Sequence, residues 1–155
     1  MTVEEFTELM VQVTDRIKGR ALDSDLAAYL NTEVPADGDV FAAIEAACLE
    51  AIDEGWMCNR EAGGIAFGRV IKPEPRLGGF SVDVVRMKDV KGPHHVHPNG
   101  EIDMIMPITD GARFDNHAKG WCVYPAGSAH YPTVSGGEAL VLYLLPDGAI
   151  EFTGQ

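Results

Sequence analysis

The stretch from Gly92 to Glu101 constrains the fold of this chain more than any other, because it holds three of the five histidines. Residues two apart on an extended strand point to the same face, so His95 and His97 share a face. The Pro98-Asn99-Gly100 segment is typical of a turn that returns the Glu101 carboxylate to the same point. Two imidazoles and a carboxylate that converge in this way suit an octahedral divalent metal ion with open positions.

A second stretch supplies a fourth candidate ligand. Residues 124–130 read Tyr-Pro-Ala-Gly-Ser-Ala-His and place His130 just after a Pro/Gly turn. The two stretches together read H-x-H-x-x-x-E and P-x-G-x-x-H, which resembles the paired signature motifs of the cupin superfamily. Cupins are small antiparallel β-barrels that hold one metal ion inside the barrel. The resemblance implies four metal ligands: His95, His97, Glu101 and His130.

Three departures from the cupin motifs affect the loops and remove no ligand. The glycine before the first histidine is close, at Gly92; the one after the glutamate is late, at Gly111; and Val134 replaces a frequent asparagine. We therefore expect one divalent metal ion as the cofactor, and Fe2+, Mn2+, Zn2+ and Ni2+ all suit three histidines and a glutamate. The alternative is a metal-free cupin that keeps these residues for another reason.

Length and charge limit the class of protein. The 155 residues suit a single domain, 1–155, with a helical extension over 1–55 and a barrel over 56–155. The net charge of −12 argues against nucleic acid or an anionic membrane surface as a partner. No apolar run is long enough to span a bilayer, no signal peptide is recognisable, and the three cysteines form no C-x-x-C pair. These features predict a reduced, cytoplasmic protein.

The first 55 residues have helical periodicity. We predict one helix over 3–18 with a capping box at Thr2 and Glu5, and a second from Asp23 to about Asn31 that is capped by Asp23 or Ser24. A third helix is predicted to start at a capping Asp37 or Asp39 and to end at Gly55. The expected role of this extension is to cover an open edge or one end of the barrel. A dimer interface or a lid over the site is the alternative.

After Gly55, short β-rich segments alternate with glycine and proline turns. The predicted strands are Ile65–Ile71, Phe80–Met87, Ile102–Ile108, Trp121–Tyr124, Ala139–Leu145 and Ala149–Phe152. A turn is predicted at Ser135-Gly136-Gly137, and Ala139–Leu145, the most apolar strand, is predicted to be central. This pattern favours a mainly β protein, a cupin-type antiparallel β-barrel or jelly roll, with an N-terminal extension of about three helices. The barrel edges are compatible with a homodimer.

Longer strings extend the resemblance to one family. They are His-His-Val-His-Pro-Asn-Gly-Glu-Ile-Asp, Tyr-Pro-Ala-Gly-Ser-Ala-His-Tyr-Pro-Thr-Val and Ala-Leu-Val-Leu-Tyr-Leu-Leu-Pro-Asp-Gly-Ala-Ile-Glu-Phe. With the helical first third, they resemble the 4-hydroxylaminobenzoate lyase family over nearly the whole chain. The resemblance implies a metal-dependent lyase of nitroaromatic degradation with a small aromatic substrate. Its reaction converts 4-hydroxylaminobenzoate and water into 3,4-dihydroxybenzoate and ammonia.

Side chains for proton transfer are less constrained by the sequence. The candidates are His94, His117 and Tyr124, although a surface histidine or a buried structural tyrosine would look the same. His94 is adjacent to His95 on the strand, so its side chain should point to the opposite face.

A benzoate carboxylate suits a bidentate arginine, and Arg69 and Arg86 lie within predicted strands. Asp103 shares strand parity with Glu101 and is a candidate to orient a ligand.

Two other functions remain open at this point. An Fe(II) cupin dioxygenase that acts on an aromatic or catecholic substrate would use the same ligands and consume O2. A non-catalytic ligand-binding cupin would be favoured by a missing ligand or a fused DNA-binding module, and neither feature is present in residues 1–155.

Overall fold

Three helices form the first third of the computed structural model, which describes residues 1–155. They are α1 (Val3–Ile17), α2 (Ser24–Glu33) and α3 (Asp39–Glu54). The predicted capping box holds α1, because the Thr2 hydroxyl accepts from the Glu5 N–H and the Glu5 carboxylate accepts from the Thr2 N–H. None of the three combines the length and the apolar character that a membrane crossing requires.

The ends of α2 and α3 test the remaining cap predictions. Asp23 caps α2 through the Leu26 N–H, and Gly55 ends α3 with a left-handed backbone, both as predicted. The predicted cap of α3 is wrong: the N-cap is Gly38, without a side-chain bond, and Asp39 is the first helical residue. Glycine is among the residues accepted at an N-cap, where the backbone is extended and not yet helical.

Ten strands follow, together with a single 3-10 turn at Pro75–Leu77. They are β1 (Arg60–Ala62), β2 (Ile65–Ile71), β3 (Phe80–Lys91), β4 (His95–His97), β5 (Glu101–Pro107), β6 (Arg113–Phe114), β7 (Gly120–Tyr124), β8 (Ser128–His130), β9 (Thr133–Pro146) and β10 (Glu151–Phe152). The fold is therefore mainly antiparallel β with three N-terminal helices, as the sequence predicts.

The strands form two antiparallel sheets of very different size. The main sheet has the order β1-β2-β3-β9-β5-β7, with β6 paired to the start of β9, and the small sheet has the order β10-β4-β8. Hydrogen bonding does not run continuously around the barrel. Side chains of the two sheets instead meet in the interior, where His95 of the small sheet lies beside Tyr143 of the main one.

Strand β9 is central, as predicted, because it pairs with β3, β5 and β6. The predicted turn at Ser135-Gly136-Gly137 is wrong, since these residues lie inside β9. The register with β3 shifts between Lys88 and Val90, and Gly136 and Gly137 adopt positive φ in the extra segment of β9. A glycine pair can mark a bulge as well as a turn, and here it bends a long strand without ending it.

The main sheet has two buried faces. One face packs against the helices and shares a core of 25 buried residues with them, whereas the other turns toward the small sheet around a core of 11. We call these the helix face and the cavity face. Alternation assigns Leu140, Leu142 and Leu144 of β9 to the helix face, and Val141 and Tyr143 to the cavity face.

The helical extension also covers a sheet edge, as predicted. Strand β7 is the last strand of the main sheet, and its Trp121 backbone bonds to the Asn31 side chain of α2. The Asn31 amide donates to the Trp121 carbonyl at 3.0 Å, and the Trp121 N–H donates to Asn31 at 2.9 Å. The amide thus acts as one further residue of the ladder and blocks the edge.

Candidate metal centre

Four side chains from three strands converge in the interior between the sheets. His95 and His97 lie on β4, Glu101 is the first residue of β5, and His130 ends β8. Pairing of β4 with β8 sets His95 directly opposite His130. One ligand atom from each of the four residues lies within 4.8 Å of the other three. The structure therefore brings together the four predicted ligands.

The turn between β4 and β5 delivers Glu101. The Gly100 N–H donates to the His97 carbonyl, and Gly100 adopts a φ of +88°. A Cβ atom at Gly100 would lie 2.8 Å from the Tyr124 carbonyl, so only glycine fits this approach. As a result, the Glu101 carboxylate lies 3.2 Å from His97 Nε2 and 3.7 Å from His95 Nε2.

The Nδ1 atoms of two ligands face groups that only accept hydrogen bonds. His95 Nδ1 lies 3.3 Å from the Pro93 carbonyl oxygen, and His130 Nδ1 lies 2.5 Å from the Asp115 carboxylate. Each Nδ1 must therefore carry the proton and donate it. The Nε2 atoms of His95 and His130 are left with free lone pairs, 3.0 Å apart.

The Nδ1 atom of His97 also carries the proton, which it donates to a hydroxyl. The Ser128 hydroxyl donates to the Pro125 carbonyl at 2.6 Å, so its oxygen accepts from His97 Nδ1 at 3.0 Å. Register explains the contact, because Ser128 lies directly opposite His97 in the small sheet. All three imidazoles are therefore set with Nε2, the metal-ligating nitrogen, toward the centre.

This arrangement fits a cation. His97 Nε2 and both Glu101 oxygens are buried without a hydrogen-bond partner in the protein, and the other two Nε2 atoms have no proton to share. Buried lone pairs and a carboxylate that face one another cost free energy unless a positive charge lies among them. Three neutral imidazoles and one carboxylate suit a divalent transition-metal ion.

A second buried acid lies beside the cluster. Asp103, two residues along β5 from Glu101, is fully buried, and its Oδ1 has no hydrogen-bond partner. Burial and the charge of Glu101 raise the pKa of Asp103 well above its usual value.

Asp115 is the site residue that the sequence analysis missed. Its Oδ2 accepts hydrogen bonds from His130 Nδ1 and the Tyr124 hydroxyl, both at 2.5 Å. Its own burial would raise the pKa of Asp115, but these two bonds outweigh it and lower the pKa. Burial, and then the bond to Asp115, raise the pKa of Tyr124. The sequence shows only an Asp-Asn pair typical of a turn before His117, which does not indicate a contact with His130.

A cavity of about 420 Å³ opens beside the cluster. We call it the site cavity; it is lined by Asp115, Asn116, Tyr124, His130, Thr133 and Ser135. Small-molecule sites commonly have volumes of this size. The predicted ligand His130 and the predicted catalytic residue Tyr124 therefore share one wall of the cavity.

The structure does not bring the other two predicted catalytic residues to the cluster. His94 Nδ1 lies 2.7 Å from the Thr153 hydroxyl, and its ring contacts the Tyr131 ring at a tilt, with centroids 4.8 Å apart. His117 is exposed in the turn after β6, where only its backbone pairs with Phe114. Both positions match the surface histidine that was the alternative for each.

Both predicted substrate arginines are held by carboxylates. Arg69 binds Asp83 through two nitrogen atoms at 2.9 and 3.1 Å and also donates to the Gly148 carbonyl. Arg86 forms the equivalent pair with Glu138 at 2.9 and 3.3 Å. Arg86 has the parity of the helix face, so it points away from the cluster, whereas Arg69 has the parity of the cavity face.

Two curated proteins are similar to almost the whole chain. A protein of Nocardioides sp. (strain LMS-CY), named 4-hydroxylaminobenzoate lyase, is 28% identical over 161 residues, which cover 97% of this chain and 95% of that protein. A protein of Pseudomonas putida with the same name is 25% identical over 169 residues, which cover 98% and 96% of the two chains.

Solved structures give weaker similarity. A salicylate 1,2-dioxygenase from Pseudaminobacter salicylatoxidans matches with a TM-score of 0.43 and 14% identity, over 71% of this chain and 36% of that one. An RmlC-like cupin protein from Ralstonia eutropha matches with a TM-score of 0.40 and 14% identity, over 55% and 58%. The model of the PnbB family, 4-hydroxylaminobenzoate lyase, matches residues 8–152 and so includes all four cluster residues. The chain belongs to the 4-hydroxylaminobenzoate lyase family.

Proposed function

We propose that the protein is a metal-dependent lyase that converts 4-hydroxylaminobenzoate, or a similar aromatic hydroxylamine, into 3,4-dihydroxybenzoate and ammonia. The observation that carries the proposal is the buried cluster of three histidines and Glu101, whose lone pairs converge beside the site cavity. Membership of the family and the shared name of two relatives support the substrate.

The overall reaction requires no oxidant. The N–O bond breaks and its oxygen leaves as water, a second water adds to the ring carbon adjacent to the nitrogen-bearing carbon, and a third hydrolyses the resulting imine. Loss of a ring proton then restores the aromatic ring, and the balance is one water consumed and one ammonia released. Neither O2 nor an organic cofactor appears in this balance, which separates the proposal from a dioxygenase.

His95, His97, Glu101 and His130 would hold the metal ion through three Nε2 atoms and one carboxylate. A divalent ion supplies Lewis acidity toward oxygen, which both the N–O cleavage and the water addition need. The chain contributes the fixed ring orientations, because each Nδ1 is already engaged by Pro93, Ser128 or Asp115. Ligands held in this way need no rearrangement when the ion binds.

The site cavity orients the substrate next to the cluster. Its wall presents the Tyr124 hydroxyl 2.5 Å from Asp115, and the Tyr124 ring packs on His130 with centroids 4.6 Å apart. In our proposal the substrate ring enters this cavity with its hydroxylamino group toward the cluster. The Tyr124 oxygen, whose proton is donated to Asp115, then accepts a hydrogen bond from the hydroxylamino group.

An exposed cation beside the lining residues of the cavity would suit the carboxylate of the substrate. Arg113 donates to the Asn116 carbonyl at 3.0 Å and pairs through its backbone with Ser135, and both neighbours line the cavity. Unlike Arg69 and Arg86, Arg113 forms no ion pair with a carboxylate. We therefore propose Arg113 as the substrate-binding arginine.

The test is ammonia release from 4-hydroxylaminobenzoate under strict anaerobiosis, with protein reconstituted with each candidate metal in turn. Ammonia in equal amount to 3,4-dihydroxybenzoate is the expected result. An aminophenol without ammonia would refute the lyase proposal, as would oxygen uptake with catechols in place of ammonia release.

A further inference from the structure

We propose that Asp115 is a positioning residue of the metal centre: it fixes the His130 ring as a ligand and holds Tyr124 in the cavity wall. This inference deepens the proposed function, on which it rests only in taking the cluster as a metal site. Nothing in the family match identifies Asp115, which lies outside both sequence motifs and reaches the site through the β6–β7 connection.

His130 depends on such a partner more than the other ligands do. It is 12% exposed, whereas the side chains of His95, His97 and Glu101 are at most 2% exposed. It also ends the edge strand β8 of the small sheet, and the Tyr124 ring that packs on it is itself held by Asp115. The bond from Nδ1 to Asp115 is therefore the contact that sets both the orientation and the tautomer of this ligand.

The Asp115 carboxylate is itself held rigidly. Its Oδ1 accepts from the Thr133 N–H at 2.9 Å, and the Asp115 N–H donates to the Thr133 carbonyl at 2.8 Å. Its backbone adopts a φ of +49°, a left-handed conformation that costs free energy for a residue with a side chain. Strain that these bonds maintain beside a ligand cluster is the pattern expected of a residue kept for its function.

Three donors meet this single carboxylate: the His130 Nδ1–H, the Tyr124 O–H and the Thr133 N–H. An asparagine side chain has one acceptor oxygen and two N–H donors, so it cannot satisfy all three. It also removes the negative charge that stabilises a metal-bound imidazole. One substitution should therefore weaken the metal site and release Tyr124 at the same time.

The experiment compares Asp115→Asn and Asp115→Gly with wild type and with Asp110→Asn, an exposed acid in the β5–β6 turn. Asparagine and glycine both tolerate the left-handed backbone, so both variants can keep the turn. Far-UV circular dichroism and urea unfolding of the metal-free proteins check the fold. The probes are Zn2+ affinity by chelator competition and the visible spectrum of the Co2+-substituted protein.

We expect both Asp115 variants to bind Zn2+ about 10–100-fold more weakly and to shift the Co2+ spectrum, with Asp110→Asn unchanged. In a His130→Gln background, Asp115→Asn should cause no further loss of affinity, because Asp115 acts through His130. A Zn2+ affinity within twofold of wild type in folded Asp115→Asn would overturn the inference. An equal additional loss in the His130→Gln background would overturn it as well.

The metal measurements need no substrate, so the inference and the proposed function fail separately. If wild type releases no ammonia but Asp115→Asn loses Zn2+ affinity as described, Asp115 remains a positioning residue and the lyase assignment falls. If ammonia release is confirmed and the affinity is unchanged, the lyase assignment remains and Asp115 has no positioning role.

Discussion

The helix face and the cavity face of the main sheet are made by the same strands, yet only the cavity face buries carboxylates. Residues of the helix face, such as Val84, Ile102 and Leu142, are apolar and completely buried against the helices. The cavity face carries Glu101 and Asp103 on the strand that gives Ile102 to the other side. Alternation along one strand thus separates a face for stability from a face for chemistry.

Register extends the polar character of the cavity face across five strands. The Cα pairing runs from Arg69 to Asp83, then to Tyr143, Asp103 and Cys122. Directly opposite residues point to the same side of a sheet, so these side chains form one transverse row next to the cluster. Burying such a row costs free energy, and the apolar burial on the helix face offsets this cost.

The difference between the two faces explains why the barrel carries a helical extension. A barrel whose interior holds ionisable groups has less apolar area to bury there, and the 25-residue core shared with the helices supplies it on the outside. Substitutions should therefore separate into two classes. Those on the cavity face should change metal binding and activity, and those on the helix face should change the free energy of unfolding.

The largest effect is expected for His95→Ala on the cavity side. It removes one of three Nε2 ligands, and we expect metal affinity and ammonia release to fall by more than ~100-fold, because losing even a partner of a ligand costs 10–100-fold. Metal content and the anaerobic assay measure the loss, with His117→Ala, an exposed loop histidine, as the control. Wild-type activity in folded His95→Ala would remove the cluster from the mechanism.

The next effect belongs to the helix face. Leu142 is completely buried under the helices, and Leu142→Ala should lower the free energy of unfolding by roughly 2–5 kcal/mol. Urea unfolding measures this, and Leu49→Ala on the exposed side of α3 should change it by less than about 0.5 kcal/mol. Zn2+ affinity of the folded Leu142→Ala protein should match wild type. A change in that affinity would mean that the two faces are coupled.

A smaller effect is expected where the extension closes the sheet edge. Asn31→Ala leaves the Trp121 N–H and carbonyl without their protein partners, which should cost about 1–3 kcal/mol of unfolding free energy. Thr32→Ala is the matched control, since its hydroxyl bonds only to the Ala28 carbonyl of the same helix. Equal stability of the two variants would show that water replaces the amide and that the edge needs no cover.

The sequence predicted the cluster because its geometry is local. Strand alternation places His95 beside His97, and the Pro98–Gly100 turn returns Glu101 after three residues. His130 needed the motif resemblance, because its approach depends on the pairing of β8 with β4, which no local pattern specifies. Asp115 was not predicted for the same reason, because a carboxylate in a loop gives no indication of which distant ring it contacts.

Arg69 and Arg86 show more clearly what the sequence alone does not predict. Their position within strands was predicted, but the face and the partner of each depend on neighbouring strands. Arg86 shares its face with Val84 because of parity, yet only the β3–β9 pairing shows that Glu138 lies near enough to bind it. The glycine pair in β9 failed for a related reason, since the same residues suit a turn or a bulge, and pairing with β3 decides between them.

The smallest effect, and the sharpest test of the two faces, is expected for Arg86→Gln. The Arg86 side chain is 39% exposed and its pair with Glu138 is well solvated, so unfolding should change by only about 0.2–1 kcal/mol. Because Arg86 has helix-face parity, the KM for 4-hydroxylaminobenzoate should equal that of wild type.

Arg113→Gln is the matched variant beside the site cavity, next to the lining residue Asn116. It should raise the KM for 4-hydroxylaminobenzoate about tenfold or more, because a charged hydrogen bond is worth roughly 1.5–3 kcal/mol. The KM for N-phenylhydroxylamine, which has no carboxylate, should stay unchanged. The substrate without a carboxylate separates loss of carboxylate binding from general damage to the site. A raised KM in Arg86→Gln with no change in Arg113→Gln would place the carboxylate on the helix face. The helix face would then take part in substrate binding, and the division between a stabilising face and a chemical face would be wrong.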